Sequence, residues 1–413
     1  MPALRLPTVV LTAALAPGCI LTWDESLLEA DGGCAGCGPG LSCVNGTCVI
    51  ENAVAEIGLG MNHSCAATLD EALWCWGQNQ ASQVGIDTVE GASVPRPTRV
   101  DGSGWTKVAG GYKGDAHTCA IRSDGSLWCW GDNGDGKLGV GDTSGVDTSK
   151  PLPVPEGSWL AVGLGDQYSC GLQDNGSLWC WGWGADNRLG GVGTTDVPGA
   201  VDQVQYTALG VGDTHACAIE SDATLRCWGM NACLQLGRTT LEAPPTAVEE
   251  LPSGWTAVAA GECHTCGIRG GVVHCFGDNT SGQLGLSPTQ TQTSTPTPVG
   301  SDVGWELSGA TDFVAVAAGG RHSCALRADH TLWCWGSNES GSLGEVASLG
   351  EIVPEPVRVP DEDWARVDAG LAHTCAVKLD GSLWCWGSAS HQQLGLDDGQ
   401  NVVSLPKRVT IGE

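Results

Sequence analysis

From Trp105 to Pro155, apolar and polar side chains alternate in short runs broken by glycine, aspartate and proline. This pattern predicts four strands: Trp105–Gly110, Thr118–Arg122, Ser126–Trp130 and a weaker one near Leu152–Pro155. Alternation puts Cys119, Ile121, Leu127 and Cys129 on one side of the middle hairpin and Ala120, Trp128 and Trp130 on the other. Both sides are apolar, so the hairpin needs cover above and below, and the Leu-Trp-Cys-Trp stripe is expected to be core.

The same pattern returns seven times. Paired cysteines stand at 65 and 75, 119 and 129, 170 and 180, 217 and 227, 266 and 275, 324 and 334, and 375 and 385. The first members of successive pairs are 54, 51, 47, 49, 58 and 51 residues apart. A period near fifty, with four short strands in each unit, predicts an all-β, seven-bladed β-propeller of four-stranded antiparallel blades, because one blade alone cannot bury both faces.

Hairpin arithmetic explains the cysteine spacing. If Ser123-Asp124-Gly125 is a three-residue loop, Arg122 pairs with Ser126, and Cys119 falls opposite Cys129 at a non-hydrogen-bonded site close enough for a disulfide. The fifth unit is an internal control. Its cysteines are nine apart, its loop is the two-residue Gly270-Gly271, and the count again sets Cys266 against Cys275. Zinc ligands or redox thiols would not need strand register, so seven intra-hairpin disulfides are expected: Cys65–Cys75, Cys119–Cys129, Cys170–Cys180, Cys217–Cys227, Cys266–Cys275, Cys324–Cys334 and Cys375–Cys385.

Two further cysteines lie between the fourth and fifth units. Cys233 follows the third strand of one blade and Cys263 precedes the second strand of the next, so both loops emerge on one propeller face and can be stapled. A metal site of Cys233, Cys263 and His264 is the competing reading. Here Arg226 and His274 replace the first Trp of the stripe, and His264 stands beside the staple on the loop face, so Arg226, His264 and His274 are candidate binding residues. Trp183, an extra aromatic in the corresponding loop of the third blade, is the candidate hot spot, against a plain role as a partly buried loop residue.

Each unit runs Gly-x-x-His, hairpin, Trp-Gly-x-Asn, Leu-Gly, most clearly from Gly261-Glu-Cys-His264 to Phe276-Gly-Asp-Asn279-Thr-Ser-Gly-Gln-Leu-Gly285. Over about residues 53 to 411 this resembles the regulator of chromosome condensation repeat family. The resemblance implies a seven-bladed propeller. It also implies one of several roles: guanine-nucleotide exchange on a small GTPase, chromatin binding or, in a secreted branch, inhibition of an enzyme. The paired cysteines and the start of the chain depart from the family pattern.

The recurrent histidines 63, 117, 215, 264, 322 and 373, with Tyr168 in the third unit, lie too far apart around a propeller for one ion and read as hydrogen-bonding anchors. Asn79, Asn133, Asn231, Asn279 and Asn338 read as turn devices. Asp132-Asn-Gly-Asp135-Gly136 is acidic enough for calcium but lacks the spacing and terminal Glu of a helix-loop-helix site. No metal or cofactor is assigned. The repeats show no nucleophile beside a base and no phosphate-binding loop, so no enzymatic role is expected.

The rest of the composition bears on compartment and partner. With 21 cysteines, a reducing cytosol is disfavoured unless the cysteines hold metal. Residues 1–18 carry Arg5, an apolar run from Leu6 to Leu15 and a small-residue end, and read as a signal peptide. Ala16-Pro-Gly-Cys19 resembles a bacterial lipoprotein processing site with Cys19 as the lipidated residue; plain secretion is the alternative. Residues 19–50 then form a tether and stalk in which Cys34, Cys37, Cys43 and Cys48 make two disulfides, and residues 51–413 form the propeller. A net charge of -28, with no Lys/Arg cluster, argues against nucleic acid. The expectation is a monomeric scaffold that is either lipid-anchored on a bacterial envelope, at the outer membrane, or secreted. Its partner would be a protein or glycan, and it would touch the membrane only through an N-terminal lipid anchor.

Overall fold

Seven sheets, each of four antiparallel strands in chain order, follow one another along the chain. The structure, a computed structural model, describes residues 41–44, 47–50 and 52–412 apart from 88–91, 113–115, 143, 156, 241–244, 249–250, 302–305, 308 and 346–349. The first blade holds Val54–Leu59, His63–Thr68, Leu73–Gly77 and Val94–Arg99; the last holds Trp364–Ala369, His373–Lys378, Leu383–Ser388 and Val402–Val409. First strands stand at the axis and line a central cavity of about 420 Å³. Fourth strands form the rim and are rich in proline, as in Val94–Arg99 (VPRPTR) and Thr148–Pro153 (TSKPLP). Proline removes backbone donors from an exposed edge and discourages pairing with another chain. In the fourth blade this strand shrinks to Thr246–Ala247.

The hairpin register is the expected one. Gly125 N–H bonds to Arg122 O and Arg122 N–H to Ser126 O, both at 2.9 Å, and Cys119 lies opposite Cys129. In the fifth blade, Gly270 and Gly271 both take positive φ, 58° and 77°, as a two-residue turn requires, and Cys266 faces Cys275. All seven pairs are bonded at the same Cα separation, 4.1 Å. The staple between neighbours is present as well, joining Cys233 to Cys263. With both sulfurs bonded, the competing metal site has lost its thiolates.

Blades stack disulfide layer on tryptophan layer. Cys119, Ile121, Leu127 and Cys129 of the second blade pack with Trp159 and Trp181 of the third. The last blade's Cys375, Val377, Leu383 and Cys385 share a cluster with Trp76 of the first, so the ring closes by the packing used everywhere else.

Residues 1–40, which hold the expected signal, Cys19, Cys34 and Cys37, lie outside the described residues. Strands Leu41–Val44 and Thr47–Ile50 pair as a hairpin with Cys43 opposite Cys48 in register, and nothing is described of those two side chains.

Candidate functional site

The loops that follow first and third strands gather on one face of the propeller, and what holds them is a relay of hydrogen bonds between blades. His63 Nε2 meets Thr118 Oγ1 of the next blade at 2.9 Å, and Thr118 Oγ1 donates back to Gln83 O, in the first blade's outer loop, at 2.7 Å. Trp130 Nε1 donates to the same carbonyl at 3.0 Å. Because the hydroxyl hydrogen is spent on the carbonyl, the imidazole must donate, which fixes the proton on Nε2.

The step repeats from His117 to Ser169, His215 to Thr265, His264 to Ser323, His322 to Thr374, and His373 to Ser64. Burial drives these imidazoles far below their ordinary value, to about 4 at His63 and His264 and about 3 at His215, His322 and His373. They stay neutral in the fold and act as anchors.

The one exception is matched on both sides. The fourth blade has Ala216 where the others have Ser or Thr, and the blade before it has Tyr168 instead of His. Tyr168 reaches past the missing hydroxyl and donates to His215 O at 2.7 Å. A Ser or Thr following every one of these histidines except His215 is the sequence signal of the relay.

In the outer loops, Asn79, Asn133, Asn231, Asn279 and Asn338 accept backbone N–H groups five residues on through Oδ1, as turn devices should.

The structure separates the candidate binding residues. His264 is fully buried in the relay, which fits its reading as an anchor and corrects its place among the candidate binding residues. His274 is buried against Trp255 at 5.7 Å, toward the hairpin-turn end of its blade, and is lowered by that burial. Arg226 lies at the same end, paired with Glu220. These two fill the places of tryptophans and do not belong to the loop face. Trp183 is on the loop face, half-buried, with the guanidinium of Arg188 stacked 4.4 Å from its ring. Asp132 is spent on Lys137 and on Gly134 N–H, which takes the leading carboxylate out of the Asp132–Gly136 segment.

Two hollows open on or near this face. The central cavity contains Asp368, whose Oδ2 accepts Leu59 N–H at 2.8 Å; burial raises its carboxyl to about 7 against the pull of its N–H partners, with Glu56 adding to the rise. Tyr112 of the second blade crosses the axis and donates to Ala318 O of the sixth at 2.9 Å. The second hollow, about 300 Å³, is lined by Met61, Glu262, Arg321, Glu339, Leu371 and Ala372 among others, brought together from the first, fifth, sixth and seventh blades. It offers an apolar floor with charged walls. Among the described residues, no group of three or more His, Cys, Asp or Glu is placed to hold a metal ion.

Comparison with known proteins places this geometry. Two models described as Regulator of chromosome condensation (RCC1) repeat match residues 54–83, 105–137, 206–235, 313–342 and 364–393, and residues 124–172, 270–326 and 329–377. The chain is 27% identical over 367 residues to the ultraviolet-B receptor UVR8 of Arabidopsis thaliana, covering 87% of this chain and 68% of that protein. It is 25% identical over 330 residues to the human E3 ubiquitin-protein ligase HERC2, covering 78% of this chain and 6% of that protein. Among solved structures, yeast RCC1 (Prp20) in complex with Kap60 superposes with a TM-score of 0.72 at 22% identity, over 86% of this chain and 85% of that one. Human WBSCR16 gives 0.72 at 19%, over 83% and 95%.

Proposed function

Because this chain belongs to the regulator of chromosome condensation repeat family, we propose that it is an exported, non-catalytic interaction scaffold whose loop face binds a protein or glycan partner. The observation that carries the reading is the hollow between Met61, Glu262, Glu339 and Leu371, set on loops that hydrogen bonds between blades and stapled hairpins hold in place. A surface ordered in advance loses little entropy on binding, which favours recognition. That Kap60 is bound to yeast RCC1 (Prp20) is a property of that protein; for this chain the hollow supports a partner.

Export is supported by eight disulfides, which persist in oxidising compartments. With them goes the reading of residues 1–18 as a signal and Cys19 as its lipidated end. The mass of the mature chain tests this: a new N-terminus at Cys19 carrying acyl chains supports anchoring, and an unprocessed, thiol-rich chain overturns export. Affinity capture from the surface fraction of the producing cells tests binding. Wild type is expected to retain a partner that Leu371→Ser and Trp183→Ala lose; if all three retrieve the same proteins, the loop face is not the site.

A further inference from the structure

The cations of this chain are unevenly placed. Arg122, Arg269, Arg327, Arg358 and Lys378 end strands at the hairpin-turn side of the propeller. Among the described residues, the loops of the opposite face hold Lys137, Arg188, Arg238 and Arg321. The first three are turned into the blades, with 3%, 2% and 1% of their surface exposed, whereas the Arg321 side chain is 63% exposed. The same loops carry Asp87, Asp142, Glu262, Glu339 and Asp397, the last paired with Arg96, and Asp278 ends the strand that leads into one of them. The loop face is therefore the electronegative pole of a chain whose net charge is already -28.

At that pole sits the 300 Å³ hollow. Met61 and Leu371 give it an apolar floor, and Glu262 and Glu339 stand in its wall. Arg321 meets Glu262 at 3.7 Å, and a contact that long between partly exposed groups contributes little, so a partner's cation can replace it.

The geometry points to a cationic segment of a partner protein on this face, with an apolar or long aliphatic side chain seated over Met61 and Leu371 and flanking Lys or Arg groups against Glu262 and Glu339. This deepens the scaffold reading and rests on it. It commits to charge as well as shape: an anionic lipid surface or a nucleic acid would be repelled by the same field.

Three fluorescein-labelled peptides of equal length test it by anisotropy against the full, disulfide-bonded chain: alternating Lys-Leu, alternating Lys-Ser and alternating Glu-Leu. Lys-Leu should bind tightest, Lys-Ser more weakly and Glu-Leu weakest, with both Lys peptides weakened by salt. Glu262→Gln combined with Glu339→Gln should weaken both Lys peptides roughly tenfold. Leu371→Ser should erase the advantage of Lys-Leu over Lys-Ser, with Leu371→Ala as the milder variant should the first fold poorly. Asp124→Asn combined with Asp174→Asn, on the opposite face, should change nothing. The proposal is overturned if those two substitutions weaken binding as much, if Lys-Leu has no advantage over Lys-Ser in wild type, or if Glu-Leu binds equally well. A captured partner whose contacting segment is acidic leaves the scaffold reading standing and overturns this one; capture insensitive to all loop-face variants overturns both.

Discussion

Asp368 Oδ2 accepts the backbone N–H of Leu59 at 2.8 Å across 309 residues of sequence, tying the first strand of the last blade to that of the first. The bond lies inside the central cavity, where burial holds the carboxyl near 7 instead of its ordinary 3.8. A carboxyl raised in the fold favours the native state while it is protonated. Its contribution is present below about pH 4, fades as pH rises and is gone above about 7. Asp368→Asn should therefore raise the melting temperature relative to wild type at pH 8 and not at pH 4, as read by scanning calorimetry. A gain confined to pH 4 would contradict the assignment.

The relay histidines carry the opposite sign. At His63, His215, His264, His322 and His373 the folded values of about 3 to 4 lie below the ordinary 6.5, so the stability from these five is complete above 6.5 and is lost as pH falls toward the folded values. At pH 5 the loss is roughly 2 kcal/mol for each histidine. His373→Gln keeps a donor for Ser64 but does not titrate. Its melting temperature should drop less between pH 7 and pH 5 than that of wild type.

Tyr168 and Ala216 should behave as one exchangeable unit. Tyr168→His alone leaves the imidazole facing a methyl group, and Ala216→Thr alone crowds the phenol. The double variant rebuilds the His-to-hydroxyl step used at the other six junctions. A double-mutant cycle by urea denaturation is expected to give a favourable coupling of about 1 to 3 kcal/mol, and simple additivity would show that the two positions do not answer each other.

Gly319 is fixed by contact. A Cβ there would stand 2.4 Å from His322 Cε1 and 2.5 Å from Gly370 O, whereas one at Gly193 would meet nothing within 4 Å. Gly319→Ala should cost about 2 kcal/mol or more, and Gly193→Ala should be near neutral, with denaturant midpoints as the measure.

The staple closes a longer loop than the hairpin bridges, a separation of 30 residues against 10. In the chain-entropy account, Cys233→Ala with Cys263→Ala should cost about 3.5 kcal/mol, and Cys65→Ala with Cys75→Ala about 2.5. Equal losses would say that native packing, not closure of the unfolded chain, sets the value.

The amino-acid sequence by itself determined the repeat, the strand register, the facing cysteines and the alternation of disulfide and tryptophan layers. These follow from local rules: a two-residue side-chain period and a loop whose length fixes what lies opposite. Even the exchange of Tyr168 and Ala216 was written there, as a matched departure in adjacent repeats. Tertiary structure alone decided which residues face outward. Arg226 and His274 stood out as irregularities and His264 by its place beside the staple, yet both histidines are buried, and Arg226 is paired with Glu220 at the far end of its blade. The hollow at Met61, Glu262, Glu339 and Leu371 draws its lining from four blades. No spacing encodes it, because its walls meet only when the ring has closed.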